Sequence, residues 1–223
     1  MVNSQKKLAL KLLKEIQSYL EKNSEQVSVH SFSGKPDRLP PLGHFDVAFS
    51  LGGDGTVLYT ARVLAPRHIP IIPVNLGSLG FLANVRPEEW LEVFTRWKEG
   101  SCPSSDRMML EVKINRGNKS LGPWIALNDV VISSAGISKI IRLKVGTETV
   151  DFGSFRADGL IVASPTGSTG YSVAAGGPIV DPEMQALIIN PICPFTLSNR
   201  PLVLPATERL KILLEKNQRS DIL

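Results

Sequence analysis

The stretch FDVAFSLGGDGTVLYTARVL, Phe45 to Leu64, decides the fold. Its first seven residues make an apolar run of strand length. From Thr56 to Ala65, residues Val57, Leu58, Ala61, Leu64 and Ala65 recur at helical spacing, so a buried strand over Phe45–Leu51 hands over to a helix. Between them Gly52, Gly53 and Gly55 surround Asp54. Glycines remove Cβ atoms where backbone must approach a ligand, Thr56 is placed to cap the helix, and the free N–H groups at a helix start suit a phosphate. Asp54 points the other way. A carboxylate beside a phosphate costs Coulomb energy unless a metal bridges the two or the carboxylate accepts a hydrogen bond from a hydroxyl. Two readings stay open here: Asp54 as general base or hydroxyl-orienting group in phosphoryl transfer, or Asp54 as an Asx cap on a tight turn.

The same alternation of periods extends on both sides. Residues Lys6 to Glu21 read as a solvated amphipathic helix, with Leu8, Leu12, Ile16 and Tyr19 near one face. HIPIIPVN makes a second strand. RPEEWLEVFTRWKEG makes another helix, with Pro87 in its first turn, Glu88 and Glu89 favourable to its dipole, and Gly100 just past its end. Strand, helix, strand, helix implies a parallel sheet. After SCPSSDR, a linker, the period becomes two: Leu110, Val112 and Ile114 against Glu111, Lys113 and Asn115, then Ile141, Leu143 and Val145 against Arg142 and Lys144. Antiparallel strands follow, turned at NRGNK and KVGTE by glycines able to take positive φ. The expectation is an α/β domain with a parallel sheet over residues 1–100 and a β-rich, sandwich-like domain over 101–223.

Composition narrows the function classes. A chain of 223 residues, 43% hydrophobic and 21% charged, has enough apolar material for one large domain or two small ones. The formal charge of +4 suits an anionic ligand, but the basic residues do not cluster with aromatics as a nucleic-acid groove requires, so no nucleic-acid partner is expected. IPIIPV is too short and too broken by proline to cross a bilayer, and no membrane partner is expected. Cys102 and Cys193 lack metal-ligand spacing and read as reduced thiols of a cytoplasmic protein. His30, His44 and His68 lie outside every motif.

Two further stretches carry chemistry. NDVVI, Asn128 to Ile132, puts an amide and a carboxylate side by side. Neighbours in a strand face opposite ways, so the pair can grip one ribose only at a strand end or bulge; a plain Asn-Asp loop is the alternative. RADGLIVASPTGSTGYS, Arg156 to Ser172, crowds Ser164, Thr166, Ser168 and Thr169 between glycines, with Asp158 upstream and Tyr171 downstream. Such hydroxyls suit phosphate or sugar.

GGDGT at Gly52–Thr56, NDVVI, and DGLIVASPTGSTGY at Asp158–Tyr171, in this order and at these separations, resemble the NAD kinase family. NLGSLGFL at Asn75–Leu82, GGPIVDP at Gly176–Pro182 and PICPFTLSNRPLVLP at Pro191–Pro205 strengthen the match, which covers about Phe45 to Pro205. GGDG alone is shared with diacylglycerol-type lipid kinases and phosphofructokinases. The resemblance implies transfer of the terminal phosphoryl of ATP, or of polyphosphate, to the 2′-hydroxyl of the adenosine ribose of NAD, giving NADP. It also implies a divalent cation such as Mg2+, an active site in a cleft between an α/β and a β-rich domain, and homodimers or homotetramers. By position, Asp54 matches the catalytic aspartate, Gly55 lies beside the dinucleotide, and Phe81 matches the aromatic on the adenine side. Asn128 and Asp129 match the ribose pair, Asp158 falls in the stretch at the nicotinamide end, and Thr169 and Tyr171 belong to the nucleotide loop. Gly53, Thr56, Arg156, Thr166, Ser168, Gly170 and Ala174 complete the candidate nucleotide-binding set, and no protein metal ligand is assigned. Two positions depart from the family pattern: Asp129 stands where glutamate is common, and Gly170 where alanine is common. Family members usually open on a strand and continue into further strands, so the second domain is expected to be incomplete at its C-terminal end. A lipid kinase and a non-catalytic NAD/NADP sensor are the alternatives.

Overall fold

The computed structural model describes residues 1–5, 7–33, 43–77, 80–135, 140–196 and 199–215. Lys6, Ser78 and Leu79 of NLGSLGFL, Leu197 and Ser198 of PICPFTLSNRPLVLP, and the closing NQRSDIL lie outside the described residues. The chain divides into two compact units, Met1–Ser104 and Ser105–Leu223. Among the described residues no helix is long and apolar enough to cross a membrane.

The first unit runs β1 (Val2–Asn3), α1 (Lys7–Lys22), β2 (Ser31–Phe32), β3 (Ala48–Gly52), α2 (Asp54–Leu64), β4 (Ile71–Asn75) and α3 (Trp90–Lys98). Its four strands pair in parallel in the order β2-β1-β3-β4. Alternate strand residues feed two cores. Leu51, Ile72 and Val74 pack with Ala9, Leu12, Ile16 and Leu20 of α1 and with Trp90 and Phe94 of α3, while Ala48 and Ile71 pack with Tyr59, Val63 and Leu64 of α2. The sheet is therefore covered on both faces, as parallel sheets are.

The helix face of α1 is rotated from the sequence reading, because Leu8 is 48% exposed while Ala9 and Leu20 are buried. The chain opens on the short strand β1 rather than directly on a helix. Pro87–Glu89 forms a 3₁₀ turn that leads into α3, and Gly100, just past the end of that helix, takes φ +69°.

The second unit is antiparallel throughout. Its elements are β5 (Leu110–Arg116), β6 (Lys119–Ala126), β7 (Asp129–Ser133), β8 (Ile141–Gly146), β9 (Asp151–Ala157), β10 (Gly159–Ala163), α4 (Tyr171–Ala174), β11 (Ala186–Ile192), β12 (Leu202–Pro205) and β13 (Lys211–Leu214). One sheet has the order β12-β11-β10-β7, a second β13-β8-β9, and β5 and β6 form a hairpin. Leu160 and Ile189 from the first sheet meet Ile141, Leu143, Val145 and Phe155 from the second, which makes the sandwich core. On its other face Ile161, Ala163 and Ile188 pack against Val180.

Both hairpins read from the sequence form, for different reasons. Gly117 takes φ +58° between β5 and β6. Gly146 is not in the left-handed region; a Cβ there would come within 2.7 Å of the Val150 carbonyl, so closeness of the two strands requires it.

Candidate functional site

In the first unit the strand-to-helix turn sits at the carboxyl end of β3. Gly53, in extended backbone, is the residue before the helix; no side chain caps it. Thr56 lies inside the first turn of α2 and is buried, so it does not cap the helix as read from the sequence. Its carbonyl accepts the Thr60 hydroxyl. Gly55 is exposed, and among the described residues a Cβ built there meets nothing within 4 Å.

Asp54 is not an Asx cap. Its carboxylate leaves its own helix and accepts three backbone N–H groups from the segment that follows β4: Phe81 to Oδ2 at 2.9 Å, Leu82 to Oδ1 at 3.1 Å and Ala83 to Oδ1 at 2.9 Å. An ionised carboxylate offers about four acceptor positions. Among the described residues three are filled, and the remaining one is on Oδ2. The segment is itself held to the sheet, since Asn75 N–H donates to Val85 O, Val85 N–H to Pro73 O, and Leu76 N–H to Gly52 O. The structure thus brings Asp54 and Phe81 together, and leaves the Phe81 ring 77% exposed.

In the second unit Asn128 and Asp129 stand at the start of β7, the strand-end position that lets neighbouring side chains serve one ligand. Asn128 O accepts Ser164 N–H at 2.8 Å, which pins the pair to the segment after β10. The Asn128 Oδ1 atom is buried without a hydrogen-bond partner among the described residues. Burial raises the Asp129 carboxyl above its ordinary value. A buried orphan acceptor and a desolvated carboxyl side by side are costly in the free protein and suited to a ligand that brings hydroxyl donors.

The hydroxyl-rich stretch is a packed helical turn rather than an open loop: Thr166–Thr169 is 3₁₀ and α4 follows. Gly167 lies against Asn128, where a Cβ would come within 2.8 Å of the Asn128 Cα and closer still to its carbonyl. A Cβ on Gly170 would sit 3.3 Å from Asn128 Nδ2 and 3.6 Å from Asp129 Oδ2, so glycine here leaves room beside the pair.

The four hydroxyls divide. Ser164 Oγ donates to Leu127 O and accepts Gly167 N–H. Ser168 Oγ, fully buried, donates to Val180 O and accepts Val180 N–H, both at 3.1 Å. In the free protein both hydroxyls are engaged with backbone, Ser164 at Leu127 and Gly167 and Ser168 at Val180. Thr169 donates to Thr166 O. Thr166 Oγ1 is buried without a partner among the described residues.

Tyr171 is 48% exposed, and Ala174, the last residue of α4, is exposed. Arg156 on β9 lies with its guanidinium 4.6 Å from the centre of the Phe195 ring, and Asp158 occupies the bend between β9 and β10. Sequence reasoning missed Leu82 and Ala83 as partners of Asp54, and Ser172, whose carbonyl and hydroxyl both take hydrogen bonds from the buried Asn190 Nδ2.

Two family models match the chain: the ATP-NAD kinase N-terminal domain over residues 42–102 and the ATP-NAD kinase C-terminal domain over residues 127–223. The NAD kinase of Treponema denticola is 47% identical over 216 residues, spanning 96% of this chain and 76% of that protein. Among solved structures, yeast NADH kinase complexed with NADH superposes with a TM-score of 0.75 at 29% identity, over 86% of this chain and 55% of the yeast chain. An NAD kinase from Archaeoglobus fulgidus in complex with ATP gives 0.72 at 28% identity, over 92% of this chain and 77% of the other. The chain belongs to the NAD kinase family.

Proposed function

We propose that this chain transfers the terminal phosphoryl group of ATP to the 2′-hydroxyl of the adenosine ribose of NAD, giving NADP and ADP. The observation that carries the reading is the Asp54 carboxylate, held by three N–H donors with one acceptor position left on Oδ2 among the described residues, beside the exposed Gly55. Support also comes from the relatives: the Treponema denticola protein is an NAD kinase, and the two structures hold NADH and ATP.

In this reading the 2′-hydroxyl donates to the free position on Asp54 Oδ2. As the hydroxyl oxygen attacks the γ-phosphorus its proton passes to Asp54, the bond from phosphorus to the bridging oxygen breaks, and ADP leaves. Asn128 and Asp129 take ribose hydroxyls as donors, which fills the orphan Asn128 Oδ1 and offsets the desolvation of Asp129. Phe81 lines the adenine and Gly53, Gly55 and Thr56 the approach to the dinucleotide. Asp158 meets the nicotinamide end, and Arg156, Thr166, Thr169, Gly170, Tyr171 and Ala174 surround the nucleotide. Ser168 is left to its structural hydrogen bonds.

Among the described residues no three His, Cys, Asp or Glu side chains gather to hold a cation. A divalent cation would arrive on the donor phosphates and neutralise charge there. Assembly into homodimers or homotetramers and a cytoplasmic location, consistent with free Cys102 and Cys193, belong to the same proposal. The test is incubation with NAD, Mg2+ and either ATP or polyphosphate, with NADP measured by an NADP-specific dehydrogenase. NADP is expected with ATP. Tight NAD binding without NADP from either donor would leave a sensor, and phosphorylation of diacylglycerol instead would leave a lipid kinase.

A further inference from the structure

Gly80 immediately precedes the residues that hold Asp54. What excludes a side chain there is space. A Cβ on Gly80 would collide with Asp54: it would lie 2.6 Å from Cγ and 2.9 Å from Oδ2, and closer still to Oδ1. The next three residues supply the N–H groups that hold the same carboxylate. Gly80–Ala83 therefore forms one cradle, a bare backbone contact followed by three successive donors. The cradle is seated on β4 through the Asn75–Val85 and Val85–Pro73 hydrogen bonds.

We propose that Gly80 is a positioning residue for Asp54, an inference that rests on the reading of Asp54 as the base. The cradle fixes the carboxylate so that a single Oδ2 position faces the incoming hydroxyl, and any side chain at position 80 turns that position away. Misplacement of a reacting group by about 1 Å costs on the order of 10²-fold in rate. Gly80→Ala should stay folded, lose about 10- to 100-fold in kcat, and keep its KM for NAD within about two-fold.

The test is a double-mutant cycle read in two ways. In kinetics, Gly80→Ala should cost nothing further when added to Asp54→Asn, because the group it displaces no longer acts as a base. An equal loss of kcat in both backgrounds would overturn the proposal, as would a raised KM with unchanged kcat, which would place the effect on the neighbouring Phe81. In thermal stability, Gly80→Ala should lower Tm in the parent and leave it unchanged in Asp54→Ala, where the colliding carboxylate is gone. A loss of Tm that persists in Asp54→Ala would overturn the proposal, because the methyl would then strike something else. Should Gly80→Ala fail to fold, amide hydrogen exchange at Leu82 and Ala83 serves instead: it should be faster in Asp54→Ala than in the parent, and equal rates overturn the cradle. Full turnover by Asp54→Asn with the Tm coupling intact would sink the base reading while leaving the geometry standing, so the two failures are distinguishable.

Discussion

Replacing Asn128 by alanine separates a ligand-gripping role from a structural one. Its Oδ1 atom is buried with no hydrogen-bond partner among the described residues. Such an orphan acceptor carries a desolvation cost of about 1–3 kcal/mol. Removing it should therefore leave the thermal midpoint unchanged or raise it, opposite to the usual result of truncating a buried polar side chain. In the complex the same atom gains a donor from the ribose, and losing that hydrogen bond costs about 1–2 kcal/mol of binding. With RT near 0.59 kcal/mol this corresponds to about a 5- to 30-fold rise in the KM for NAD. Because the hydroxyl is held alike in the ground and transition states, kcat should change much less. The assay is initial rate against NAD at saturating ATP, paired with a thermal melt. An unchanged KM together with a midpoint lowered by several degrees would make Asn128 a structural residue and refute the reasoning.

Three other outcomes follow from the same geometry. Ser168→Ala should destabilise the protein by about 1–3 kcal/mol, because both the N–H and the carbonyl of Val180 lose their partner, while the KM for NAD stays within about two-fold. A large KM effect with a normal melt would return that hydroxyl to the ligand. Asp129→Asn removes a carboxyl whose proton affinity burial raises, so its charged form opposes folding at neutral pH. The variant should melt higher than the parent at pH 7, the gain shrinking as pH falls through the raised value, since a protonated Asp129 carries no such cost; a gain that grows with acid contradicts this. Amide exchange over Gly167–Tyr171 should slow on addition of NADP, and protection confined to other segments would take that turn out of the site.

Much of the architecture was legible because period and punctuation agree. The switch from an apolar run to helical spacing at Gly52–Thr56 marks β3 and α2, and alternation marks β5 and β8. The two-residue strands β1 and β2 were not legible, since two residues carry no period. The strand-end position of Asn128 and Asp129 followed from the rule that strand neighbours face apart. Side-chain partners were hidden wherever they are remote in sequence. Asp54 finds its donors 27 to 29 residues away, and Ser168 its partner 12 residues away, so composition of the local stretch could not show which backbone groups these side chains engage. The same limit explains Thr56, which looks like a cap by spacing and is buried in the first helical turn because Gly53 takes the extended conformation before the helix.

The most direct measurement is turnover of NAD to NADP by Asp54→Asn beside the parent, at saturating ATP, Mg2+ and NAD, with NADP affinity measured on both proteins. Asparagine keeps the size and one acceptor oxygen, enough for Leu82 and Ala83, gives up the hydrogen bond from Phe81 N–H, and cannot take the proton of the 2′-hydroxyl. The account predicts a fall in kcat of about 10²–10⁴-fold, with NADP bound at least as tightly, because a negative charge facing the 2′-phosphate is gone. Turnover within a few-fold of the parent would contradict it, and would reduce Asp54 to the residue that shapes the Phe81–Ala83 segment.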